Sequence, residues 1–351
     1  MAGEKRNTSE SIFNLKSIED MREGKEYQRR IGRIKIIIAS ILLASLAIFI
    51  IIAGIAIDKE GFGKFIAAIA SINLWYFSAA LGVIFLGYVM RFPKWEYYMK
   101  RLGVKIPRRR NFMVYMSMYS MDMTPGRWGR AVVGYTINKL TGIRFARTFP
   151  AIVADIFTDF LGFAVVLAIS IFFVRKFVVL STFVTVLLLI PFFFIYVRRP
   201  FEFIKRRFGH VKRLKGIFET GKLYFEYHKL LSGKAYAYSM AYTIPAMFLN
   251  GIALYLVILS FGVHMPISLL PTVLFIFASA LILGMISGLP ASLGITDAAL
   301  IGYLTLFFPS MMGIGLASLI TIFFRIASVW FVEGFGFTAL AYTMRYWKEK
   351  N

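Results

Sequence analysis

A few ionisable residues stand inside the longest apolar stretches of the chain, and any binding or chemistry is to be sought there. Asp155 and Asp159 lie one turn apart in an apolar segment, so they share one helix face. Arg325 and Glu333 stand in a second such segment further on. A charge at the centre of a bilayer costs at least about 2.5 kcal/mol, so it persists where it meets a partner or a wet cavity. Asp159 follows Pro125 at nearly the distance at which Arg325 follows Pro290. This spacing predicts that Asp159 and Arg325 face each other, within ion-pair reach or across one cavity. A structural clamp and a role in transport both fit such a pair.

The two prolines belong to matching interruptions. An apolar run from Phe112 to Met123 stops at Thr124, Pro125 and Gly126. A second run stops at Leu289 and Pro290. Each proline is followed by Gly at the fourth position (Gly129, Gly294) and later by a Gly-Tyr pair (Gly134-Tyr135, Gly302-Tyr303). Pro lacks an N–H and Gly lacks side-chain constraint, so each break ends one helix and starts another. Paired interruptions of apolar helices are the sequence mark of a transporter's binding site, because irregular backbone survives in a membrane only where protein or water satisfies it. Pro125, Gly126, Gly129, Asp155, Asp159, Pro290, Gly294, Asp297, Arg325 and Glu333 are the expected cavity and gating residues.

Arg127 and Arg130 follow the first break, at what would be a helix N-terminus. Free N–H groups, the positive end of the helix dipole and two guanidinium groups favour an anion there, with a lipid phosphate as the natural candidate. Arginines that merely reach out to headgroups are the alternative. The second break offers Ser292, Thr296 and Asp297 and no base, which suits hydrogen bonding rather than phosphate binding. No Gly-rich phosphate loop and no His/Glu pair at helical spacing occurs, and the three histidines are scattered. The expectation is a protein that is not an enzyme and carries no cofactor or metal.

These residues need long apolar helices to position them, and the composition supplies them. The chain has 351 residues, 58% of them apolar, and no cysteine. Uncharged runs reach the roughly 20 residues that cross a bilayer. The fold class is an all-α polytopic membrane protein, and continuous runs exclude a β-barrel. Lys and Arg give a net charge of +23, but they cluster between the apolar runs, which marks cytosolic loops rather than a nucleic-acid surface. The expected order is a basic cytosolic arm at 1–35 and a first transmembrane helix at 36–57. A first repeat follows at 71–174 with a broken hairpin at 112–138. A linker helix and a basic interfacial segment occupy 175–235, and a second repeat occupies 236–345 with a broken hairpin at 267–308. Six full spans and two re-entrant hairpins then form two inverted-topology halves, in the cell membrane, with both termini cytosolic.

The motif Thr124-Pro125-Gly126-Arg127-Trp128-Gly129 and the segment 289–300 resemble the signature segments of the lysylphosphatidylglycerol synthase transmembrane-region family. The stretches 101–104 and 155–162 fit the same pattern, and the resemblance covers most of 71–340. It implies a stand-alone flippase-like membrane domain, without the aminoacyl-transferase domain found fused in some members. Arg130 stands where the pattern has an acid, Val133 where it has a base, Asp155-Ile156 where it has Glu-Arg, and Asp297 where it has Glu. The charge layout of the cavity therefore differs from the pattern, and lysyl-phosphatidylglycerol is not carried over as cargo. The implied function is movement of a polar-headgroup phospho- or glycolipid between leaflets. A membrane scaffold for a lipid- or glycan-modifying enzyme and a small-solute transporter are the alternatives. The partners expected are membrane lipids, with a lipid-modifying enzyme as an optional protein partner, and no nucleic acid. Cysteines introduced at Lys64 and His264 should react with an impermeant label from outside, and those at Lys105 and Lys215 should not; external labelling at Lys215 would invert the topology.

Overall fold

The computed structural model describes residues 61–174, 233–289 and 292–350, with some further residues between 40 and 58. The chain divides into two units, 1–50 and 51–351. In the first, the described residues, from 40 on, are helical. The expected first span at 36–57 is thus described only in part, and the span and basic segment expected within 175–232 lie outside the described residues.

The second unit is built from helices, with no strand among the described residues. A short helix, α1 (Phe62–Ala70), precedes α2 (Leu74–Arg101). Asn73 starts α2, its side-chain oxygen accepting from Trp75 N at 3.0 Å and Tyr76 N at 3.4 Å. It is therefore an N-cap, and its backbone N–H also donates to Ser260 O at 2.7 Å, which ties the start of α2 to a residue further along the chain. At 28 residues α2 is about 42 Å long, more than a hydrocarbon core requires. Gly103, at φ 69°, turns the chain into α3 (Arg108–Ser117), which begins after Pro107, earlier than the expected start at 112. Two short 3-10 turns, Met118–Met121 and Pro125–Ala131, carry the chain to α4 (Val132–Thr141). The first apolar run is therefore broken where the proline predicts, and Thr124 is extended as a residue before proline should be.

The chain continues in α5 (Phe145–Ile171) and, past the undescribed residues, in α6 (Gly233–Ser260). After a 3-10 turn, α7 (Leu270–Ile286) leads into a second break and then α8 (Ile295–Phe307). Gly294 opens α8 at φ 80°, while Pro290 lies outside the described residues. The last rod runs from α9 (Ile314–Arg325) through a π-helical turn (Ile326–Trp330) into α10 (Phe331–Lys350). Among the described residues, five stretches are long and apolar enough to cross a membrane: 74–101, 145–171, 233–260, 267–286 and 314–345. The stretch 267–286, expected as half of a hairpin, thus has the length of a full span.

Helices α2 and α6 lie against each other. Helix α10 packs on α3 and on the turn at 118–121, and α7 packs on α5. Lipid tails are as apolar as leucine, so such contacts depend on close fit and small residues rather than on exclusion of water. Gly162 faces Thr243 and Met247, and Gly251 faces Leu274. Gly336 is the tightest case, since a Cβ there would overlap the backbone of Tyr119 and Ser120. Gly336→Ala should lower stability by about 1–3 kcal/mol through overpacking. Gly334→Ala, where a Cβ meets nothing, should leave the thermal midpoint in detergent nearly unchanged.

Candidate functional site

Three elements bring charges together in the interior. Helix α2 contributes Arg91 and Lys94, one turn apart, and α5 contributes Asp155 and Asp159 from the facing side. The first break contributes Asp122, Arg127 and Arg130. Asp159 is the centre. Its Oδ2 accepts from Arg91 Nη1 at 2.8 Å and from Arg130 Nη1 at 2.9 Å, and its Oδ1 from Lys94 Nζ at 2.7 Å. Lys94 also meets Asp155 Oδ1 at 3.0 Å and Thr158 Oγ1 at 3.1 Å. Arg130 reaches Asp155 Oδ2 at 2.8 Å and, through Nε, Asp122 Oδ1 at 2.5 Å. Lys94, Arg130, Asp155 and Asp159 have no solvent exposure, and Arg91 has 2%.

Aromatic faces complete the enclosure. The Arg91 guanidinium lies 4.2 Å from the centre of the Tyr88 ring, and that of Arg130 lies 4.8 Å from Tyr119. Both are cation–π distances, and such contacts gain strength in a desolvated setting. The Tyr119 hydroxyl donates to the Tyr115 hydroxyl at 2.8 Å, which donates to Tyr88 O at 3.1 Å. Arg91, Lys94, Arg127 and Arg130 stand against Asp122, Asp155 and Asp159, which leaves an excess of one positive charge.

Arg127 is the loosest member. It approaches Asp122 only to 3.8 Å and Asp159 to 3.9 Å, and its side chain is 20% exposed. It lines a cavity of about 320 Å³ that continues between the two breaks. Tyr88, Asp122, Arg127, Asn250, Ser292, Arg325 and Glu333 are polar groups of its wall, set among Ile84, Phe160, Phe277, Met285 and Phe324. Asn250 thus faces the cavity as well as packing against Gly87. Arg127 and Ser292 each follow their proline by two residues, and both have positive φ, 60° and 56°. That conformation costs a non-glycine residue about 1–3 kcal/mol and tends to mark functional sites.

A smaller group closes the other part of the wall. Asp297 caps α8 by accepting from Gly294 N at 2.9 Å, and its other oxygen meets Arg325 Nε at 3.0 Å. Glu333, at the start of α10, accepts from Met123 N at 3.0 Å and so ties the last helix to the first break.

The sequence-derived residues are distributed accordingly. The expected pairing of Asp159 with Arg325 is replaced: Asp159 is held by α2 and the first break, and Arg325 by Asp297. The expectation of a shared wall is also narrowed, because Arg325 lines the cavity whereas Asp155 and Asp159 sit behind Arg127. Arg130, expected beside Arg127 on a phosphate, is sealed among carboxylates away from the cavity wall. Pro125 and Gly126 open the 3-10 turn. Gly129 N donates to Thr124 Oγ1 at 2.5 Å, in a place where a Cβ would collide with Met121.

Arg91, Lys94 and Asp122 were not singled out by the sequence. Arg91 and Lys94 look like the basic flank of a span. The signal against that reading is the apolar and aromatic pattern that continues past them through Trp95, Tyr98 and Met99, all buried. Asp122 carries a weaker signal, as an acid at the end of an apolar run beside a break.

The all-helical fold, the apolar lengths and the buried charges define a multi-pass membrane protein. Residues 37–336 match the family described as the lysylphosphatidylglycerol synthase TM region, and the chain belongs to that family. No curated protein matches the chain in sequence. Asp159→Asn leaves Arg91 without a carboxylate and takes one partner each from Lys94 and Arg130, and should cost about 3–5 kcal/mol, read as loss of unfolding free energy in detergent. Asp297→Ala and Arg325→Ala should each destabilise, and the double variant should recover part of that loss because neither charge is then left alone.

Proposed function

We propose that the protein moves a phosphate-bearing, polar-headgroup lipid between the leaflets of the cell membrane, without converting it chemically. Arg127 carries the proposal. It is a partly exposed guanidinium on the wall of an intramembrane cavity, held at a strained φ and paired only at long range. Such a group turns to a phosphate at small cost, and arginine meets phosphate in a bidentate fork. The three cations and three carboxylates behind it are in balance, so the uncompensated positive charge is that of Arg127 itself. A cavity of about 320 Å³ takes a headgroup rather than acyl chains, which then stay in the lipid. Membership in a lipid-related membrane family supports the same class of cargo.

The architecture we infer is two inverted halves. The first comprises α2, the break with α3 and α4, and α5; the second comprises α6, the break with α7 and α8, and the rod α9–α10. The break of each half packs on the closing helix of the other, as a two-fold relation between halves requires. The two breaks act as re-entrant gates from opposite faces, and both chain termini lie in the cytosol, in keeping with the distribution of Lys and Arg. In vesicles containing the purified protein, labelled anionic phospholipid should exchange between leaflets. Arg127→Ala should slow this about tenfold or more, as loss of a hydrogen bond to a charged group does. No exchange of any lipid by folded wild type would overturn the proposal.

A further inference from the structure

Glu333 differs from the other buried acids. Asp122, Asp155, Asp159 and Asp297 each have a cationic partner at ion-pair distance. Among the described residues Glu333 has none; its one hydrogen bond is to the Met123 backbone, and it is 5% exposed. An ionised carboxylate in such a place is costly unless paired, whereas its neutral form is not. The side chain lines the cavity, so water there can deliver a proton to the carboxylate oxygen. The groups that share this wall with it are Asp122 and Arg127 from the first break, Tyr88 from α2 and Arg325 from α9. Of the other elements packed on α10, α3 carries Tyr115 beyond its basic first turn, the turn at 118–121 carries Tyr119, both buried, and α4 carries Tyr135 and Lys139.

The carboxylate is placed to convert protonation into movement. Its hydrogen bond ends at Met123, between Asp122, which holds Arg130, and Thr124, which holds Gly129. A charge-assisted bond is roughly twice as strong as a neutral one, so adding a proton loosens the tie between the last helix and the first break. The π-helical turn at 326–330 immediately precedes this helix, and such turns recur at functional sites. We propose that Glu333 is the proton-binding site of the protein and that its protonation releases the first break from α10, so that lipid movement is coupled to a proton gradient. This coupling rests on the lipid-translocation reading above; the proton site itself does not.

Two measurements on the purified full-length protein separate those claims. In an infrared titration, a protonated-carboxyl band should appear as pH is lowered and be lost in Glu333→Gln. That variant keeps an acceptor for Met123 N–H and so retains the fold. Glu333→Asp, which keeps a carboxyl, should shift the band rather than remove it. Absence of any band from wild type, or a band unchanged in Glu333→Gln, overturns the proton site. In vesicles carrying labelled anionic phospholipid, an imposed pH gradient should accelerate exchange by wild type and have no effect on Glu333→Gln. Wild-type exchange indifferent to the gradient overturns the coupling. A titrating Glu333 with no exchange of any lipid supports the proton site and removes the lipid function instead.

Discussion

The carboxylate of Asp159, buried among cations from α2 and the first break, is the constraint on which the rest of the interior depends. Removing an ion from water costs several kcal/mol even after relaxation, and only close, multiple partners offset that cost. Asp159 obtains them from Arg91, Lys94 and Arg130. The same three cations would be untenable without Asp155 and Asp159, so α2, α5 and the segment 118–131 stand or fall together. The tyrosine faces over Arg91 and Arg130 then close the remaining directions from which water or lipid would approach.

This arrangement separates the buried charges from those that reach the cavity. Arg130 engages Asp122, Asp155 and Asp159 through Nε and Nη1 and lies away from the cavity wall, although its Nη2 has no hydrogen-bond partner among the described residues. Arg127 and Asp122 are partly exposed, and both reach the cavity. The immobile interior thus acts as support for an adjustable wall, which is how precise binding groups are generally held.

Much of the architecture was legible in the residues. Apolar length marked a span within or near each of 74–101, 145–171, 233–260 and 314–345, ending the first at about residue 91, and proline and glycine marked the first break. Buried charge in apolar segments pointed to Asp155, Asp159, Arg325 and Glu333. Partner choice was not legible. Near-equal spacing from two prolines suggested Asp159 and Arg325 as a pair, but spacing along a helix says which residues share its face and nothing about which neighbour that face meets. Arg91 and Lys94 were hidden for a different reason. A base near the end of an apolar run usually lies in the cytosolic flank, and here α2 is long enough to carry its bases inward against α5 instead. Asn73 shows the reverse case, a polar residue beside an apolar run whose side chain starts a helix and whose backbone N–H meets Ser260 O.

The two breaks are anchored unequally. Segment 118–131 is tied to α2, α5 and α10 through Asp122, Arg130 and the Met123 backbone. The chain entering α8 is tied by Asp297 to a single guanidinium and to its own N-cap. In mechanical terms the cavity has one stiff jaw and one compliant jaw. A load placed between them is taken up mainly by the compliant side, so the cavity wall deforms at the entry to α8 before it deforms at 118–131.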